Sequence, residues 1–106
     1  MREFVRGAVR LHILHHAAEG PVHGAWLSRE LAEHGYDISP GKLYPTLHQM
    51  EAEGLVTSEP QTMNGKARRV YRISPRGNEA LQEGRRAVRR LADELLGTGQ
   101  APLGES

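Results

Sequence analysis

Six histidines in 106 residues are the first group in this chain with chemistry to offer. His12, His15 and His16 stand at i, i+3 and i+4, so two or three imidazoles would share one helix face. That spacing suits a metal ion. The run has no clear fourth ligand, although His23, His34 or a carboxylate could lie near it. We assign no metal and keep these three as weak candidates, reading the run first as a helix face with surface or interface histidines. Between the two stands a pH-sensitive interface, since imidazole titrates near neutrality.

The second group is basic. Residues 64–76 carry Lys66, Arg68, Arg69, Arg72 and Arg76 with no acid among them, whereas residues 19–60 are acidic on balance. Net charge is only +1. A local basic stripe on a near-neutral chain is the electrostatic footprint of a nucleic-acid contact, against the plainer alternative of a solvated strand edge.

Catalysis finds little support. There is no cysteine, hence no thiolate nucleophile, disulfide or cysteine-based zinc site. No phosphate-cradling glycine motif, nucleophile elbow or paired HExxH histidines occur, and nothing orders the Ser, His and Asp residues present. We expect no enzyme and no cofactor. Apolar runs are short, so no membrane span or secretory leader is expected and the chain reads as cytoplasmic.

The elements that must position these groups follow from periodicity. Residues 3–18 read as a helix with Phe4, Ala8, Leu11, Leu14 or His15, and Ala18 on one face, closed by Gly20-Pro21. A second helix, about 23–34, carries Trp26, Leu27, Leu31 and Ala32 on one side, and Trp26 is expected in the core. The third starts at Ser39-Pro40, a cap followed by proline at the first helical position, and buries Leu43, Leu47 and Met50 before stopping at Gly54. Pro45 is placed within its first turn or so. Residues 55–59 and 67–73 read as two strands of a hairpin joined by a longish polar tip, 60–66, with Asn64-Gly65 as the turn signal. Tyr71 and Ile73 are expected to pack beneath it. Ser74-Pro75 opens a last helix to about residue 96, whose Leu81, Gly84, Val88, Leu91 and Leu95 recur at 3, 4, 3, 4. Residues 97–106 read as a disordered tail.

Three helices, a hairpin and a long helix form the element order of a winged helix-turn-helix, mainly α with a small β-hairpin. Residues 1–74 would be the DNA-binding domain and 75–96 a dimerisation helix. The third helix would enter the major groove, presenting Ser39, Gly41, Lys42, Tyr44, Thr46 and His48. Lys66, Arg68 and Arg69 on the wing would meet phosphate or the minor groove. Tyr44 could offer its hydroxyl to DNA, pack its ring on the helix-turn-helix core, or do both. A helix of about 22 residues is ~33 Å long, more than so small a domain can cover, and a second copy is the simplest partner for the rest. Two-fold symmetry would set two recognition helices roughly 34 Å apart.

Four blocks also resemble the PadR family of bacterial transcriptional regulators: LSREL at 27–31, ISPGKLYPTL at 38–47, MEAEGLV at 50–56 and RRVYRISPRG at 68–77. They lie in family order and the resemblance spans roughly residues 8–96. It implies a homodimer on double-stranded DNA with an inverted-repeat operator, often a repressor, in the short form with one C-terminal helix. The resemblance also implies release of DNA by a small aromatic or hydrophobic effector. Drug-binding members stack ligand on an aromatic residue of the C-terminal helix, and residues 75–96 contain none. The alternatives kept beside this are a winged-helix module that docks an acidic protein, and a histidine-based, metal-responsive regulator.

Overall fold

The computed structural model describes residues 1–97, in the order α1 (Arg2–Glu19), β1 (Val22–His23), α2 (Gly24–Glu33), α3 (Pro40–Ala52), β2 (Val56–Met63), β3 (Lys66–Ile73) and α4 (Pro75–Leu96). The expected tail lies outside the described residues, apart from Gly97. The sheet has three antiparallel strands in the order β1-β3-β2, where a two-stranded hairpin was expected. The extra strand is Val22–His23, whose two residues pair with Tyr71 and Val70. Its shortness hid it next to the start of α2.

Helix ends are set by local chemistry. At the end of α3 the Gly54 N–H donates to the Glu51 carbonyl and the Leu55 N–H to the Met50 carbonyl, with Gly54 at φ 79°. A left-handed residue is needed there for the chain to turn back and satisfy those last carbonyls, and glycine adopts it without a Cβ penalty. The end of α2 repeats the pattern, Gly35 donating to Ala32 and Tyr36 to Leu31. Ser74 caps α4, its Oγ accepting the Gly77 N–H at 2.9 Å. Ser39 occupies the equivalent position on α3 without such a side-chain bond. Pro45 falls in the second turn of α3, deeper than expected, and the residue whose carbonyl it leaves unbonded, Gly41, is exposed.

The hairpin is longer and tighter than its polar composition suggested. Met63 pairs with Lys66, so the loop is only Asn64-Gly65, at φ 52° and 76°. Positive φ at both central residues is the turn whose twist matches the flanking strands. Pro60 lies within β2 opposite Arg69, tolerated because β2 is an edge strand.

One core joins all layers. Ile13, Leu27, Leu31, Leu43, Leu47 and Met50 are completely buried, with Tyr71 and Leu81 nearly so. Each such side chain contributes roughly 1.5–3 kcal/mol of burial free energy. The buried face of α1 is Val9, Ile13, Leu14 and Ala17, about one position off the expected stripe, and Phe4 and Ala18 are exposed. Trp26 is also a correction. It is 39% exposed rather than in the core, and Ala32 is exposed as well.

The seam of α4 divides in two. Leu81 is buried in the protomer's own core, and Gly84 lies against Leu11 of α1, where an added Cβ would stand 2.4 Å from a Leu11 methyl. These two positions are therefore used within the chain, a correction to their place in an intermolecular seam. Val88, Leu91 and Leu95 are 52%, 41% and 68% exposed. Among the described residues no helix is long and apolar enough to cross a membrane.

Candidate nucleic-acid interface

The face that could read DNA is built on α3, which α2 and the sheet hold from behind. Leu43, Leu47 and Met50 point into the core with no exposure. Ser39, Gly41, Lys42, Tyr44 and His48 are exposed by the same helical periodicity. Thr46 is half-buried and its hydroxyl donates to the Lys42 carbonyl at 2.8 Å, so that proton is spent within the helix. Tyr44 packs its ring against the helix-turn-helix core while remaining partly exposed. Its ring lies over the start of α2, so close to Gly24 that a Cβ there would stand 2.6 Å from ring carbon and hydroxyl oxygen, yet the residue stays 39% exposed. Gly24 thus sets the approach of α3 to α2.

The wing supplies the cations. Lys66, Arg68 and Arg69 are exposed on β3. Alternation puts Arg69 on the face of Tyr71 and Ser58, and Arg68 on the opposite one. Arg69 Nε donates to Ser58 Oγ at 3.1 Å, and Ser58 Oγ donates to both Glu51 carboxylate oxygens at 2.9 and 3.1 Å. This chain of charge-assisted bonds ties the wing to the last turns of α3. It also burdens Arg69 with a structural task beside any DNA contact. Arg72 pairs with Glu59 across the strands at 3.5 Å and Arg10 of α1 with Glu53 at the end of α3. Lys42, Lys66 and Arg68 have no ion pair among the described residues, so their charges remain available to phosphate. Arg68 also borders an open cleft of about 480 Å³ together with Trp26, Arg29 and Met63.

Glu51 and Ser58 escaped the sequence reading. A two-residue turn at Asn64-Gly65 would have placed Ser58 opposite Tyr71 and on the inward face. The longer tip assumed there hid this register. Beneath them, burial pushes the Tyr71 hydroxyl above its ordinary range, since a phenolate would be poorly solvated.

The arrangement agrees with the known proteins the chain is similar to. The transcriptional regulator PadR-like family matches residues 13–83. The chain belongs to this family. It is 64% identical over 97 residues to the transcriptional regulator Rv3488 of Mycobacterium tuberculosis, covering 92% of this chain and 91% of the relative. A PadR family regulator from Eggerthella lenta superposes with a TM-score of 0.76 at 33% identity, covering 92% of this chain and 88% of that one. A PadR-like regulator from Bacillus cereus reaches 0.82 at 27% identity, covering 93% and 98%. The protein is thus a PadR-like, winged-helix transcriptional regulator, a family of regulators and not of enzymes.

Proposed function

We propose that this PadR-like regulator is a homodimeric repressor that binds an inverted-repeat operator and blocks a promoter by occupying it. The observation that carries this is the division of α3: its apolar residues are wholly buried while Lys42, Tyr44 and His48 stand exposed beside a basic wing. A helix docking on protein would more often present apolar anchors there. In the complex, the N-terminal half of α3 enters the major groove and Lys66, Arg68 and Arg69 contact phosphate or the minor groove. Val88, Leu91 and Leu95 of α4 supply the dimer seam, because 22 helical residues span ~33 Å and the protomer's core covers only the first half. Release by a planar effector stacked on α4 finds no aromatic side chain at 75–96, so an effector would act from another site.

The test is fluorescence anisotropy with the duplex upstream of the protein's own gene and a scrambled duplex, at two salt concentrations, with dimer mass checked by sedimentation. The upstream duplex binds more tightly, with log affinity falling by about 0.9 per phosphate contact for each log unit of salt. Lys42→Ala weakens operator binding by about 1–3 kcal/mol, and Arg68→Ala with Arg69→Ala reduces the salt slope by about 2. If both variants bind as tightly as the parent, the reading face is elsewhere.

A further inference from the structure

The histidines of α1 are the largest cluster of reactive groups that DNA binding leaves unused. We infer that the junction of α1 and α2 is a transition-metal site, in which His12, His16, Glu30 and His34 hold one divalent ion. Two i, i+4 pairs face each other here, His12 and His16 on α1, and Glu30 on α2 with His34 at its C-cap.

His16 is the centre. Its side chain is nine-tenths buried, and neither ring nitrogen has a hydrogen-bond partner. A neutral imidazole carries one donor and one acceptor, and burying both without partners is destabilising. The nearest groups are carboxylates, with Glu30 Oε2 3.6 Å from Nε2 and Glu19 Oε1 3.6 Å from Nδ1, too far for hydrogen bonds. Glu30 Oε2 lies equally 3.6 Å from His34 Nδ1. The ring centres of His12 and His34 are 5.0 Å apart, those of His12 and His16 6.0 Å, and those of His16 and His34 6.4 Å. Imidazoles bound tetrahedrally at a metal–nitrogen distance near 2.0 Å have ring centres about 5 Å apart. The three rings stand within about 1.5 Å of that spacing, and side-chain rotation has to bring their donor atoms together.

Hydrogen bonding favours it too. The Glu30 backbone carbonyl can only accept, so His34 Nδ1, 3.0 Å away, carries the proton and Nε2 keeps its lone pair. That is the second-shell bond typical of metal-bound histidine. A competing set, His15, His16 and Glu19, has donor atoms all within 4.8 Å of one another. It is the poorer site. The Arg85 guanidinium lies 3.2 Å from His15 Nδ1 and can only donate, which leaves the proton on Nε2 and a cation beside the ring. Glu19 is also 65% exposed. Three imidazoles and one carboxylate select zinc, cobalt, nickel or copper over magnesium or calcium.

The site is tested without DNA. Tag-free whole protein, stripped with EDTA, is titrated with zinc by equilibrium dialysis, and with cobalt by visible absorption. One ion binds per chain, and cobalt gives the bands of a four-coordinate site. His34→Ala, at a half-exposed helix end, and His16→Ala each weaken zinc by at least about tenfold, while His15→Ala and Glu19→Ala stay within about twofold. Circular dichroism confirms that each variant is folded, and His34→Ala suffices if His16→Ala is not. No stoichiometric uptake, or uptake that His34→Ala leaves unchanged, overturns the site.

Discussion

Gly77→Ala is the sharpest test of how this fold is joined. Gly77 is the third residue of α4 and is buried where that helix meets the end of α3. A Cβ there would lie 2.0 Å from the Leu55 carbonyl oxygen, 3.0 Å from its carbon and 2.8 Å from Ile73 Cγ1. Ordinary contact needs about 3.5 Å, so one segment must retreat by more than about 1 Å. The obstacle is backbone, and it is tied. Leu55 O accepts from the Ser74 N–H, Leu55 N–H donates to Met50, and Ser74 Oγ donates to the Gly54 carbonyl. Overpacking against a fixed neighbour costs about 3 kcal/mol, the upper end of its usual range. A strained hydrogen bond adds about 1 kcal/mol. The better helix propensity of alanine returns about 1 kcal/mol. The net loss is about 3 kcal/mol, a fall in Tm of more than about 10 °C for a chain of this size. Urea and thermal unfolding, followed by circular dichroism at matched protein concentration, measure it. Gly7→Ala is the control, since a Cβ at that exposed position in α1 meets nothing within 4 Å and should stabilise by up to about 1 kcal/mol. If Gly77→Ala is as stable as the parent, the α3–α4 joint is not rigid and the reasoning fails.

Two further outcomes follow from the wing. Ser58→Ala removes the link between Arg69 and Glu51 and should cost about 1 kcal/mol in urea unfolding. It should also weaken operator binding by anisotropy, and unchanged values in both would show that the wing is held by packing alone. Tyr71 bears on alkaline stability. Its folded pKa is raised by burial, with Glu51 and Tyr44 adding to the rise and Arg69 opposing it. The unfolded chain therefore ionises first, near pH 10, and stability that is complete below that pH is lost as pH rises through the folded value. Tyr71→Phe should flatten this alkaline limb in unfolding measured from pH 8 to 11. A parallel decline in both proteins would assign the loss to other groups.

Much of the fold was legible because its signals are short-ranged. Ser74-Pro75 marked the start of α4, Gly54 the end of α3, and the spacing of Leu43, Leu47 and Met50 the buried face of α3. With that face known, Lys42, Tyr44 and His48 had to be on the other side. The exposure of Trp26 was not legible, because an apolar residue in an amphipathic helix looks the same whether or not another element covers it. Nor was β1, whose two residues become a strand only by pairing with Tyr71 and Val70, nearly fifty positions away.

The amino-acid sequence by itself determined the order of every element but β1, most of the caps and turns that bound them, and the chemistry on α3 and the wing. Those features depend on bonds within a few residues and on a periodicity that any window of the chain displays. Only the tertiary structure decided that Leu81 and Gly84 serve the protomer while Val88, Leu91 and Leu95 do not, although all five repeat alike. It also brought Ser58 between Glu51 and Arg69, and set Glu30 and His34 against His12 and His16. Such meetings turn on strand register and helix rotation, which are settled by packing between distant segments and leave no mark in either segment alone.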